Sequence, residues 1–76
     1  MRVVELRSAS DKLRPLQDKM QEYRDNGVRL GCLIDPQNQR VEIYRLERDV
    51  EVLQSPTALS GEDVLPGFVL DLTQIL

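Results

Sequence analysis

The chain has 76 residues, 41% of them apolar, with two Tyr, one Phe and no Trp. That allows one small domain at most, or part of a larger one, with few large aromatic side chains for its core. There is no His and a single cysteine, Cys32, which excludes an internal disulfide, a Cys/His zinc site, and Ser-His or Cys-His nucleophilic catalysis. The net charge of −3 comes from 10 basic and 13 acidic residues and disfavours non-specific binding to nucleic acid, which rests on phosphate neutralisation. The charge is uneven, however. Residues 1–29 carry 7 basic and 5 acidic side chains, a local +2, and residues 30–76 carry 3 and 8, a local −5.

Arg2-Val3-Val4-Glu5-Leu6-Arg7 reads as a short strand rich in β-branched residues. Alternation puts Val3, Glu5 and Arg7 on one face and Val4 and Leu6 on the other. Ser8 to Asp11 follow as a loop, in which Ser10 and Asp11 suit a helix N-cap. A helix is expected from about Lys12 to Asn26, because Leu13, Leu16, Met20 and Tyr23 recur at spacings of three and four. Pro15 is compatible only because it falls in the first turn, and Gly27 is a C′ stop.

From Val28 the period changes. Leu30 to Asp35 and Arg40 to Arg45 read as strands joined by the turn Asp35-Pro36-Gln37-Asn38. Val41, Ile43 and Arg45 share one face, Glu42 and Tyr44 the other. Val50 to Leu53 reads as the next strand, after a charged turn at 46–49, and the three form an antiparallel meander. Residues 54–67 read as loop, punctuated by Pro56, Gly61, Pro66 and Gly67. Phe68 to Leu70 reads as an edge segment, and Asp71 as the cap of a last turn from Leu72 to Leu76. The order β-α-β-β-β, with one helix packed on a mostly antiparallel sheet, is an α+β fold.

Two residues call for a reason. Glu5 places a carboxylate within an apolar strand, where an unpaired charge is costly. On a wheel of about 100° per residue, Lys19 falls roughly 40° beyond Tyr23, at the border of the apolar stripe. From there its side chain can run along the core edge to a neighbouring strand, and a Glu and a Lys converging there could hold a metal and polarise a phosphate or a water. The simpler alternatives are surface pairs, Glu5 with Arg2 or Arg7 and Lys19 with Asp18 or Glu22. Tyr23 reads as a core residue, Cys32 as a small buried one and Asp35 as a turn former.

Taken together, Val3-Val4-Glu5-Leu6-Arg7-Ser8-Ala9-Ser10-Asp11, Lys19-Met20, Tyr23, Gly27-Val28-Arg29, Leu33-Ile34-Asp35-Pro36 and Leu65-Pro66-Gly67-Phe68 with Leu70 and Leu72 resemble the "Uma-two" family of bacterial restriction endonucleases. The resemblance implies a PD-(D/E)XK, restriction-endonuclease-like fold that hydrolyses DNA phosphodiesters with Mg²⁺ or Mn²⁺. It implies Glu5 as a metal-binding carboxylate, the Leu6 backbone carbonyl as a second ligand, and Lys19 as the lysine that assists the attacking water. Arg7 stands where the fold more often has that lysine. Because an arginine stays protonated, Arg7 fits a phosphate clamp instead.

The sequence departs from the family pattern in three places. Ser8-Ala9-Ser10-Asp11 stands for Ser-Pro-Ser-Asp, and Cys32 stands where many members have Trp. The family's metal-binding aspartate belongs upstream of Glu5, whereas Met1 is only four residues before it. The expectation is therefore a single partial domain over residues 1–76, the C-terminal half of the fold, inactive alone. Its partners would be DNA and either a missing N-terminal half or another copy in a homo-oligomer. A non-catalytic remnant or oligomerising interaction module is the alternative. No apolar run approaches the roughly 20 residues of a bilayer span, and the expected location is cytoplasmic.

Overall fold

The computed structural model describes residues 2–62 and 66–76. Met1, and Leu65 of the Leu65-Pro66-Gly67-Phe68 run, lie outside the described residues, as do Asp63 and Val64. The elements are β1 (Arg2–Leu6), α1 (Leu13–Asp25), β2 (Leu30–Asp35), β3 (Arg40–Arg45), β4 (Glu51–Gln54), β5 (Ala58–Ser60) and β6 (Val69–Asp71). β1 to β4 form one sheet in the order β1-β2-β3-β4, and β5 and β6 form a separate hairpin. β1 runs parallel to β2, with Glu5 beside Leu33; β2–β3 and β3–β4 are antiparallel. The α+β architecture with one helix on a mostly antiparallel sheet is thus as expected.

The sheet separates two apolar layers. On one face, Leu30, Cys32, Ile34, Val41 and Ile43 pack against Leu59 and Leu72 from the hairpin and C-terminal segment. On the other, Leu33 and Tyr44 receive Met20 of α1, with Leu13, Leu16 and Tyr23 around it. The expected stripe is therefore the face that α1 buries. α1 sits close because β2 carries Gly31 beneath it: a Cβ there would lie 2.7 Å from Met20 Cε.

The helix ends as expected and begins differently. Val28 N–H donates to Tyr23 O and Gly27 N–H to Arg24 O, with Gly27 at φ +93°, the pair of bonds of a Schellman stop. At the start, Lys12 is the N-cap and supplies no side-chain bond. Pro15, the third helical residue, has no N–H for a cap to receive. Asp11 turns back instead, accepting from Ser8 N–H at 3.0 Å and Ser8 Oγ at 2.8 Å.

Residues 54–67 are not all loop: Ala58–Ser60 pairs with Val69–Asp71, a strand too short to show a period in sequence. Asp71 does hold the last turn, through Thr73 N–H at 2.9 Å and Thr73 Oγ1 at 2.8 Å.

Gly31→Ala is expected to destabilise the fold by about 1–3 kcal/mol, the usual range for overpacking, in urea denaturation. On a Met20→Ala background the same change costs markedly less.

Candidate functional site: the β1 edge beneath helix α1

β1 is the sheet's outer strand, pairing with β2 alone among the described residues. Its side chains alternate as expected, with Val3 and Glu5 toward the helix and Val4 and Leu6 on the opposite face, 43% and 57% exposed. The backbone alternates too. Arg7 N–H donates to Ile34 O at 2.9 Å. Because both polar groups of a strand residue point to the same side and neighbours point oppositely, the Leu6 N–H and C=O face the open edge. The Glu5 carboxylate and the Leu6 carbonyl are thus adjacent at one border of the sheet.

Lys19 reaches this border from α1. Its Nζ lies 3.2 Å from Glu5 Oε1, with the Lys19 side chain half exposed and that of Glu5 a quarter exposed. The hydrogen bond it donates to Glu5, then the Glu5 charge, and then Tyr23 one helical turn away hold the Lys19 ammonium above its usual pKa. Lys19 is therefore a fixed positive charge in this arrangement rather than a base. Among the described residues the surface alternatives do not form, and Asp18 pairs with Arg14 at 3.1 Å.

Arg7 goes elsewhere. Its Nη1 donates to both oxygens of Asp35, at 3.1 and 3.2 Å, and its Nε to Asp11 O at 3.1 Å. The Asp35 side chain is fully buried and also accepts from Asn38 N–H at 3.4 Å and Asn38 Nδ2 at 2.8 Å. Burial pushes the Asp35 carboxyl up, but Asn38 and then Arg7 outweigh it, and the pKa lies below the ordinary 3.8. Asp35 is a turn former as expected, and it is also the anchor of Arg7. Gln37 Nε2 adds a bond to Ser8 O at 2.8 Å, so the β1–α1 loop and the β2–β3 turn are tied together.

A second polar cluster lies on the far flank of the helix and was not singled out from the sequence. Glu42, 4% exposed, accepts from Gln17 Nε2 at 3.1 and 3.0 Å and from Tyr44 OH at 2.8 Å. Its signal was available: Glu42 and Tyr44 share the face opposite Val41 and Ile43, which in a two-sided core is the helix face.

As a metal site the β1 edge is short of ligands. Among the described residues no three carboxylate, His or Cys side chains come together. What is present, one carboxylate and one adjacent carbonyl, fits part of the shell of Mg²⁺, an ion that usually takes one or two carboxylates and keeps waters or phosphate oxygens for the rest.

A helix laid across a mixed sheet, with a carboxylate on the outer strand facing a lysine of the helix, places the chain among restriction-endonuclease-like folds. The model of the Uma2 family, described as "Putative restriction endonuclease", matches residues 2–73; the chain belongs to that family. Among solved structures it is similar to one described as a "putative nuclease belonging to DUF820" from Anabaena variabilis. The TM-score is 0.65 and the identity 30% over 75% of this chain and 32% of that one. The chain thus spans about a third of the length of this neighbour. No curated protein matches.

Asp35→Asn is expected to cost about 3 kcal/mol, because the Arg7 guanidinium loses its buried counter-charge. A carboxyl with a depressed pKa contributes stability that is complete above its unfolded value and is lost as pH falls through the folded one. The melting temperature of the parent therefore falls on acidification below about pH 4, and the variant loses that part of the slope.

Proposed function

We propose that this chain carries one side of the catalytic centre of a metal-dependent DNA endonuclease. The observation that carries the reading is the 3.2 Å contact between Glu5 and Lys19 at the border where the Leu6 carbonyl faces outward. Glu5 and the Leu6 carbonyl are the ligands for Mg²⁺ or Mn²⁺, which supplies Lewis acidity and a more acidic bound water. Lys19 keeps its charge and orients a scissile phosphate or the attacking water, stabilising negative charge as it develops. Arg7 holds the loop between β1 and α1 through Asp35, and a phosphate-clamping role, which the family resemblance implies, is part of the same proposal.

With a single carboxylate at the border, the chain by itself is inactive in this reading. A second carboxylate comes from a segment that completes the sheet beside β1. Nicking of supercoiled plasmid by the chain fused to the preceding segment of a family member tests this. Mg²⁺- or Mn²⁺-dependent nicking is expected, lost in EDTA and reduced at least about 100-fold by Glu5→Ala and by Lys19→Met, as for groups that stabilise developing charge. Cleavage that survives both Glu5→Ala and EDTA removes the role given to Glu5.

The exposure of Val4 and Leu6 beside an open strand edge supports a second reading, an interaction module that pairs through β1, since such edges template association. Light scattering separates the two. A dimer that Leu6→Lys converts to monomer supports the module, and a monomer at high concentration counts against it.

A further inference from the structure

Glu42 is a buried acid that the proposed chemistry does not use. A carboxylate out of water is costly unless its oxygens are satisfied, and among the described residues Glu42 forms no ion pair. Its bonds come instead from two neutral groups, Gln17 of α1 and Tyr44 beside it on β3. Tyr44 is itself 3% exposed. Burial first, then the hydrogen bond to Glu42, pushes its hydroxyl well above the ordinary tyrosine pKa, so the phenol remains a donor. Because the Gln17 amide nitrogen sits nearly equidistant from both Glu42 oxygens, at 3.1 and 3.0 Å, the carboxylate fixes the amide in place.

The position of Gln17 on the helix gives this bond its consequence. At about 100° per residue, Leu13, Leu16, Met20 and Tyr23 centre on one direction; Gln17 lies roughly 80° to one side of it and Lys19 roughly 80° to the other. Gln17 ties one flank of α1 to β3, and Lys19 ties the opposite flank to β1. Met20 between them is the apolar pivot, fully buried over Gly31. The Lys19–Glu5 bond joins two partly exposed side chains and by itself holds little. The part-buried Gln17–Glu42 bond is the one able to resist rotation of the helix about its axis. A roll of about 15° moves an atom some 6 Å from the axis by roughly 1.5 Å. That is enough to open the 3.2 Å Lys19–Glu5 contact.

We propose that Gln17 and Glu42, with Tyr44 behind them, are positioning residues that set the rotation of α1 and so hold Lys19 against Glu5. The proposal rests on the nuclease reading for the use of that pair, but its geometry can be tested without any cleavage assay. A water-soluble carbodiimide joins a lysine amine to a carboxylate with loss of water only when the two are in contact, and peptide mass spectrometry quantifies the Glu5–Lys19 product.

Gln17→Ala is expected to lower that yield about three- to tenfold, in line with the sensitivity of reacting groups to displacements near 1 Å, in protein whose circular dichroism matches the parent. Glu42→Gln, which can still accept from Gln17, is expected to retain the yield, and Glu42→Ala to lose it. If Gln17→Ala reduces the melting temperature but leaves the cross-link unchanged, the cluster serves packing alone and the proposal is overturned. An equal loss in Glu42→Gln and Glu42→Ala also overturns it, since hydrogen bonding would not then be the cause. Failure of the nuclease reading appears separately, as plasmid nicking indifferent to Glu5 with the cross-link pattern intact.

Discussion

Helix α1 crosses the sheet where β2 carries no side chain. Met20 fills the space that any Cβ at Gly31 would occupy, and the rest of the helix face follows from that depth. Leu16 and Tyr23 reach the sheet on either side of Met20, Gln17 comes within bonding distance of β3, and Lys19 comes within bonding distance of β1. A bulkier residue in β2 would lift the helix and lengthen both polar contacts together. The apolar seat and the polar pair at the border are therefore one construction. Packing at a position remote from the open edge decides whether Glu5 and Lys19 meet.

Much of this could be read from the chain in order. β2 and β3 fall where their alternation places them, and the helix stops at Gly27 because two backbone bonds and a positive φ need it there. The Glu5–Lys19 contact was legible for two reasons: a carboxylate in an apolar strand needs a partner, and a lysine at the border of the stripe can supply it. Arg7 was not legible in the same way. Its partner Asp35 lies 28 residues on, and the two meet only because β1 and β2 run parallel in one register. Neither propensity nor spacing within a segment encodes that register. Asp11 shows the opposite failure, a local preference overridden: the helix starts one residue later, with Lys12 as its N-cap, and the Asp11 carboxylate accepts from Ser8 instead.

The helix face is polar for so small a domain. Asp35 and Glu42, both buried, sit on the same side of the sheet as Met20 and Leu33. Each is satisfied in a different way, Asp35 by a guanidinium and Glu42 by neutral donors. Hydrophobic side chains in their places would stabilise at least as well. What directed bonds give, and apolar contacts do not, is a single rotation and a single register for α1 over the strands. Such bonds flank the border at which Glu5 and Lys19 meet.

The opposite face is built on other terms. β5 and β6 bond to each other but, among the described residues, not to the main sheet. They are kept in place by Leu59 and Leu72 on the apolar layer and by the Arg45–Glu62 ion pair, at 2.6 Å, from β3 to the hairpin. Lifting this unit breaks no backbone ladder of the larger sheet. Amide protons of the hairpin would therefore exchange with solvent through openings far smaller than global unfolding, while those between β2 and β3 would wait for it. The molecule is in this sense two-sided in time as well as in space. On this construction the helix face would stay closed on the timescale of the whole fold, while the hairpin face could open and shut many times before the helix moves.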